Sequence, residues 1–135
     1  MPLRYLLDTN IISNLVRDPH GAVAKRIALV GEDSVCTSIV IAAELRYGAQ
    51  KSESRQIAER VNLLLSAIAV LPLESPVDRH YGEIRHYLAQ RGTSIGPNDL
   101  LFAAHALALD LVLVTANTRE FERVSDLKLE NWLSE

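Results

Sequence analysis

The sequence predicts an α/β protein, a three-layer α/β/α sandwich around a mostly parallel sheet. Short apolar runs alternate with helical-period segments along the whole chain. Leu111-Val112-Leu113-Val114 is apolar without alternation, the pattern of a parallel strand covered on both faces. The 135 residues, 48% apolar and 23% charged, contain no repeat, low-complexity tract or composition break, so residues 1–135 read as a single domain.

Each element has a local reason. Residues 4–7 are a first strand ending at Asp8, and Thr9-Asn10 are expected to cap a short helix to about residue 15. Asp18-Pro19-His20-Gly21 is a turn, followed by a helix over 22–30 that Gly31 stops. Residues 34–37 form a short buried strand, and Ser38 caps a helix to about residue 49. Residues 52–69 form a longer helix with Ile57, Val61, Leu64, Leu65 and Ile68 on one stripe. Residues 70–73 suit an edge strand, because Pro72 cannot donate to a ladder. Ser75 is expected to cap a helix with Pro76 in its first turn, burying Val77, Tyr81, Ile84 and Leu88 and ending at Gly92. Pro97-Asn98-Asp99 opens a central apolar helix over 100–109. After the strand 111–114, residues 118–122 read as a short helix and 127–129 as a last strand.

Composition narrows the function classes. The average apolar and charged content excludes a disordered or fibrous chain. The net charge of −3 argues against a protein whose whole surface grips phosphate, while a local basic stripe or a bound metal leaves nucleic acid open. Cys36 is the single cysteine, so no internal disulfide forms and a reducing, cytoplasmic setting is expected. The longest stretch without a charged residue, 61–73, is too short to span a bilayer, and Asp8 interrupts the apolar start, so neither a membrane span nor a signal peptide is expected.

Most of the 17 acidic residues occupy solvated helix faces; three do not. Asp8 ends an apolar strand, Glu44 follows Ile39-Val40-Ile41-Ala42-Ala43, and Asp99 precedes Leu100-Leu101-Phe102-Ala103-Ala104. Each alone has an ordinary explanation: Asp8 as a helix cap, Asp99 as a first-turn acid, Glu44 as an ion-pair partner of Arg46. Three carboxylates converging in a low-dielectric cleft would repel one another unless a cation joined them, and all-oxygen ligands suit Mg²⁺ or Mn²⁺. Asp8 and Thr115-Ala116-Asn117 both lie at strand carboxyl ends, where open α/β sheets bind ligands.

Asp8-Thr9-Asn10, Glu44-Leu45 with Gly48, Asn98-Asp99 before an Ala-rich helix, and Thr115-Ala116-Asn117-Thr118-Arg119-Glu120-Phe121 together resemble the PIN-domain family, and within it the VapC-type toxins. The ending Asn131-Trp132 fits the same group. The resemblance covers the chain in order. It implies a metal-dependent endoribonuclease acting on RNA, often tRNA, restrained by a VapB-type antitoxin and dimeric. Carried across, Asp8, Glu44 and Asp99 would be the catalytic, metal-binding acids. Asn117 stands at the position of the family's variable fourth acid, and the resemblance leaves open whether Asn117 or Glu120, one turn later, completes the metal site, Glu120 supplying the missing charge directly or through water. Thr9, Asn10 and Thr115 would support the acids, and Arg46 and Arg119 flank them as RNA contacts. Arg17, Lys25, Arg26, Lys51, Arg55 and Arg91 are weaker candidates. Partners are expected on apolar surface of the 52–69 helix, where Leu63-Leu64-Leu65 stand together.

Hydrolysis by water predicts 5′-phosphate and 3′-hydroxyl ends. A metal-free ribonuclease would need a pair of histidines or similar groups. Here His20 lies in a turn, His80 and His86 on a solvated helix, and His105 in the core or an interface; Cys36 is expected to be buried and inert. Two other classes compete. A receiver-like phosphoacceptor would use a strand-end Asp over Mg²⁺, but one acid follows the first strand and no lysine ends a following strand; a dehalogenase-type phosphatase lacks its second aspartate. A catalytically silent PIN-like module would have to carry unpaired buried charge without metal.

Overall fold

In the computed structural model, which describes residues 2–133, five strands form one parallel sheet in the order β3-β2-β1-β4-β5. The strands are β1 (Tyr5–Leu7), β2 (Val35–Ser38), β3 (Ala69–Leu71), β4 (Val112–Val114) and β5 (Leu129–Glu130). The helices are α1 (Thr9–Arg17), α2 (Ala22–Val30), α3 (Ile39–Ser52), α4 (Arg55–Ala67), α5 (Val77–Gln90), α6 (Pro97–Ala108) and α7 (Thr118–Phe121). The α/β sandwich predicted from the sequence is therefore present.

Central β1 pairs on both sides, Tyr5 aligning with Val35 and with Val112, and Leu6 with Cys36 and Leu113. Covered on both faces, Leu6, Leu7, Leu113 and Val114 are fully buried, which is why these strands carry no polar alternation. Steps β1–β2 and β2–β3 run one way across the sheet; with right-handed crossovers they put α1–α4 on one face. The step from β3 to β4 runs back and puts α5 and α6 on the other. Most contacts divide the same way: α1 packs on α2, α3 and α4, while α5 packs on α6, and α3 of the first group also meets α6. The chain leaves β1 in one direction and returns at β4 on its other side, so the β1/β4 boundary is the topological switch point.

Several local expectations change. Asp8 itself caps α1, its carboxylate accepting the Thr9 N–H, so the cap lies before Thr9-Asn10 and the helix runs to Arg17. Ser38 caps α3 as expected, but α3 continues to Ser52 before Glu53 turns left-handed. Ser54 then caps α4 through the Ile57 N–H. Pro76, not Ser75, is the N-cap of α5, and Tyr81 is half-buried rather than core. The last strand is Leu129–Glu130, two residues later than expected, where Thr115 and Leu113 bond to the chain. The edge position of β3 is as expected.

Candidate functional site

Four carboxylates lie near the carboxyl ends of β1 and β4, close enough for their charges to act on one another. Asp8 leaves β1 at the switch point and is 3% exposed. Its cost of burial is offset by three donors: Thr9 N–H at 2.7 Å and Thr115 Oγ1 at 2.8 Å, with Asn10 Nδ2 at 3.4 Å. Asn10 also ties the two strand ends together, its Oδ1 accepting the Ala116 N–H at 3.0 Å. Thr115 donates to Asp8 and accepts the Asn117 N–H at 3.0 Å, so one hydroxyl both supports the acid and shapes the β4–α7 turn.

Glu44 reaches the cleft from the middle of α3 and is only half-buried, less enclosed than the apolar run before it suggested. Both its oxygens are held: Oε1 accepts Thr9 Oγ1 at 2.5 Å and Oε2 accepts Asn98 Nδ2 at 2.8 Å. The ion pair with Arg46 expected as the ordinary explanation does not form, since Arg46 instead donates to Asn62 Oδ1 at 2.6 Å on α4. The sequence marks Asn98 only as a member of the Asn98-Asp99 motif and gives it no role; an exposed Asn before an acid carries no signal of a partner 54 positions away.

Asp99 stands in the first turn of α6 and Glu120 in α7. Burial pushes the Asp99 carboxyl up to about 6, with the charges of Glu120, Asp8 and Glu44 adding to the rise. Burial also raises Asp8, opposed by its Thr115 and Thr9 bonds and assisted by the Glu44 charge. Mutual repulsion therefore links all four acids. Asn117 is exposed at the head of α7 and donates from Nδ2 to Glu120 Oε2 at 2.7 Å, while Glu120 Oε1 accepts the Gly96 N–H at 3.4 Å. Glu120 is thus anchored from both sides, and Asn117 acts as its holder.

The donor chemistry fits a hard divalent cation: carboxylate oxygens, unfavourably close in charge, with no nearby lysine or arginine salt bridge among the described residues. Among the described residues no three or more His, Cys, Asp or Glu side chains stand ready in a ligating arrangement, so the acids share a field without yet forming a cage.

The remaining candidates are scattered. Arg119 is exposed on α7, and Lys25, Lys51 and Arg55 are exposed on other helices. Arg26 pairs with Glu130 at 3.5 Å and lies over Trp132, and Arg91 lies over Tyr87, so both are engaged away from the acids. The histidines do not gather: His20 and His86 are exposed, His80 is half-buried, and His105 is 1% exposed in α6. Buried Cys36 has its thiol pushed up to about 12, which makes it inert as expected.

Residues 5–127 match the PIN domain family. The chain belongs to the PIN-domain family. Over 130 residues, 95% of this chain and 97% of the relative, it is 36% identical to a Rickettsia felis protein named ribonuclease VapC2. Over 132 residues, 96% of this chain and 98% of the other, it is 39% identical to a Shigella flexneri protein named tRNA(fMet)-specific endonuclease VapC. Among solved structures, VapBC2 from Rickettsia felis bound to a promoter DNA fragment superposes with a TM-score of 0.89 at 35% identity, covering 98% of this chain and 99% of that one. VapBC-1 from nontypeable Haemophilus influenzae superposes with a TM-score of 0.86 at 37% identity, covering 99% and 100%. Membership places this PIN domain on the VapC branch and removes the receiver-like reading.

Proposed function

We propose that this PIN domain is an endoribonuclease, the toxin half of a toxin–antitoxin pair, that depends on Mg²⁺ or Mn²⁺ and cuts structured RNA such as tRNA. The observation that carries the reading is the gathering of Asp8, Glu44 and Glu120 around Asp99, whose carboxyl is pushed up to about 6 by burial and by these acidic neighbours. The names of the relatives, ribonuclease and tRNA(fMet)-specific endonuclease, support the same class.

Asp8, Asp99 and Glu120 are the residues that would hold the ion, with Glu44 directly or through water, and Asn117 as the holder of Glu120. Such an ion, when bound, polarises the scissile phosphate and lowers the pKa of an attacking water. The chain's own residues do the positioning. Thr115 Oγ1 and the Thr9 N–H favour the ionised form of Asp8. Thr9 and Asn98 fix the two oxygens of Glu44, so its carboxylate cannot rotate freely. Asn10 sets the spacing between the β1 and β4 ends, and hence between Asp8 and the α7 turn. Arg119, exposed beside the acids, is suited to meet the RNA backbone; Arg46, held on Asn62, is less free to do so.

The antitoxin partner fits the apolar groove of about 420 Å³ between α1, α2 and α4, lined by Leu15, Val16, Ile27, Leu63 and Leu64. Leu63 is 72% exposed there, whereas Leu65 faces inward. The neighbours in the solved structures named above are VapBC complexes, which supports such a partner. A homodimer is the proposed free state, and a light-scattering mass near twice 15.0 kDa is the expected result. Among the described residues no helix is long and apolar enough to cross a membrane.

The test is purified protein with total RNA, with and without chelator. Cleavage should require the added metal, leave 5′-phosphate ends and vanish in Asp99→Asn. Cleavage that survives chelation, or that survives in Asp99→Asn, overturns the reading.

A further inference from the structure

Beside the acids, α1, α3 and α4 enclose a second cleft of about 350 Å³, and its wall includes Thr9 and Glu44. It therefore borders one of the four acids and the threonine that holds it. On α3, Glu44, Gly48 and Ser52 lie four residues apart and share one face of the helix. Gly48 has no structural reason to be glycine. It sits inside a regular helix, is exposed, and a Cβ built on it meets nothing within 4 Å. Glycine destabilises a helix interior relative to alanine, so a position with room for a side chain and no turn to make is better filled. The missing side chain leaves the floor of this cleft open.

The cleft's chemistry is that of a nucleotide rather than of a metal. Leu45 and Ile57 supply apolar wall, Ser13 and Ser52 supply hydroxyls, and Arg17 stands at the edge as an exposed cation. Arg17 Nε donates weakly to Ser13 O at 3.3 Å, which leaves its terminal nitrogens available. A volume of this size suits one small-molecule moiety, and sequence-selective RNA readers work on unpaired bases splayed into such pockets.

We infer that this cleft is a nucleotide subsite, taking the unpaired ribonucleotide next to the scissile phosphate, with Arg17 on its backbone and Gly48 keeping the space for its base and sugar. The inference rests on the ribonuclease reading and adds where the substrate lies. It assigns a specificity role to Gly48 and Arg17, neither of which touches the acids.

The experiment measures binding separately from cleavage. In the Asp99→Asn background, a fluorescein-labelled single-stranded RNA is titrated by fluorescence polarisation, and Gly48→Ala, Gly48→Leu and Arg17→Gln are added one at a time. Gly48→Leu should raise Kd at least tenfold and Gly48→Ala by a smaller factor, with the melting temperature of Gly48→Ala unchanged or higher. Arg17→Gln should raise Kd about threefold to tenfold and reduce the slope of log Kd against log salt by about one contact. Should Gly48→Leu lower the melting temperature, Gly48→Ala and Arg17→Gln decide. An RNA Kd unchanged within twofold in all the folded variants overturns the inference. It is also overturned if the Gly48 variants block antitoxin inhibition while RNA binding stays intact, since the occupant is then a peptide. Gly48-sensitive RNA binding in a protein that proves unable to cleave RNA supports the subsite and sinks the nuclease reading instead.

Discussion

Asp99→Asn should stabilise the folded chain while abolishing its activity. The Asp99 carboxyl moves from an ordinary 3.8 to about 6 on folding. A raised carboxyl binds its proton more tightly in the native state, so folding favours the protonated form. Below pH 4 both states are protonated and no penalty exists. Between about pH 4 and 6 the unfolded chain ionises first, and stability falls as pH rises; above 6 the penalty is complete. A shift of about two units corresponds to about 3 kcal/mol. The side chain is only half-buried, and solvent screening reduces the figure to roughly 1–2 kcal/mol. Asparagine keeps the shape and removes the charge. In chelator at pH 7.5, Asp99→Asn should therefore raise the urea midpoint by roughly 0.5–1 M, given slopes of about 1–3 kcal/mol/M. At pH 4 the two proteins should unfold together. Added Mg²⁺ should then raise the wild-type midpoint and move the variant little, because only the native wild type gains a strong ligand. A variant less stable than wild type at pH 7.5, or a gain equal at both pH values, would refute the argument from shared repulsion.

Three further outcomes follow from single contacts. Thr115→Val keeps the shape but removes the donor to Asp8 and the acceptor of the Asn117 N–H; cleavage should fall at least tenfold and stability by about 1–2 kcal/mol, read by single-turnover kinetics and urea melts. Asn98→Ala frees one oxygen of Glu44, and should weaken metal-dependent activity with little change in melting temperature, because Asn98 is exposed. His105 is held neutral by burial, with its Nδ1 lacking a partner, so His105→Leu should leave cleavage unchanged and stability equal or higher. Its lowered pKa also means that wild type loses stability on acidification below about pH 6.5, and the variant should lose less over that range.

Much of this molecule is legible in the sequence because its strands are buried on both faces. Leu111-Val112-Leu113-Val114 can be read as a parallel strand, and Gly31 and Ser38 mark helix ends by backbone chemistry that acts within a few residues. Asp8, Asp99 and Glu44 stand out as carboxylates beside apolar runs, and the fold brings them close enough for their charges to act on one another. What the sequence hides depends on contacts between distant positions. Whether Glu44 would meet Arg46, two residues on, or Asn98 and Thr9 is decided by how α3 packs against α1 and α6. The last strand is misplaced by two residues because its position follows from pairing with β4, not from its own weak apolar run. Tyr81 lies on the buried stripe of α5, yet its amphipathic ring stays half in water, and Arg85 donates to its hydroxyl at 3.2 Å.

The hydrogen bonds that hold the acids join residues separated by 35, 54 and 107 positions. β1 receives a neighbour on its β4 side only after residue 112 has been made. A ribosome therefore emits Asp8 and Glu44 long before Asp99, Thr115 and Glu120 exist to join them. No growing fragment short of α7 can bring all four carboxylates together, so the proposed site exists only once residues 118–121 have been made.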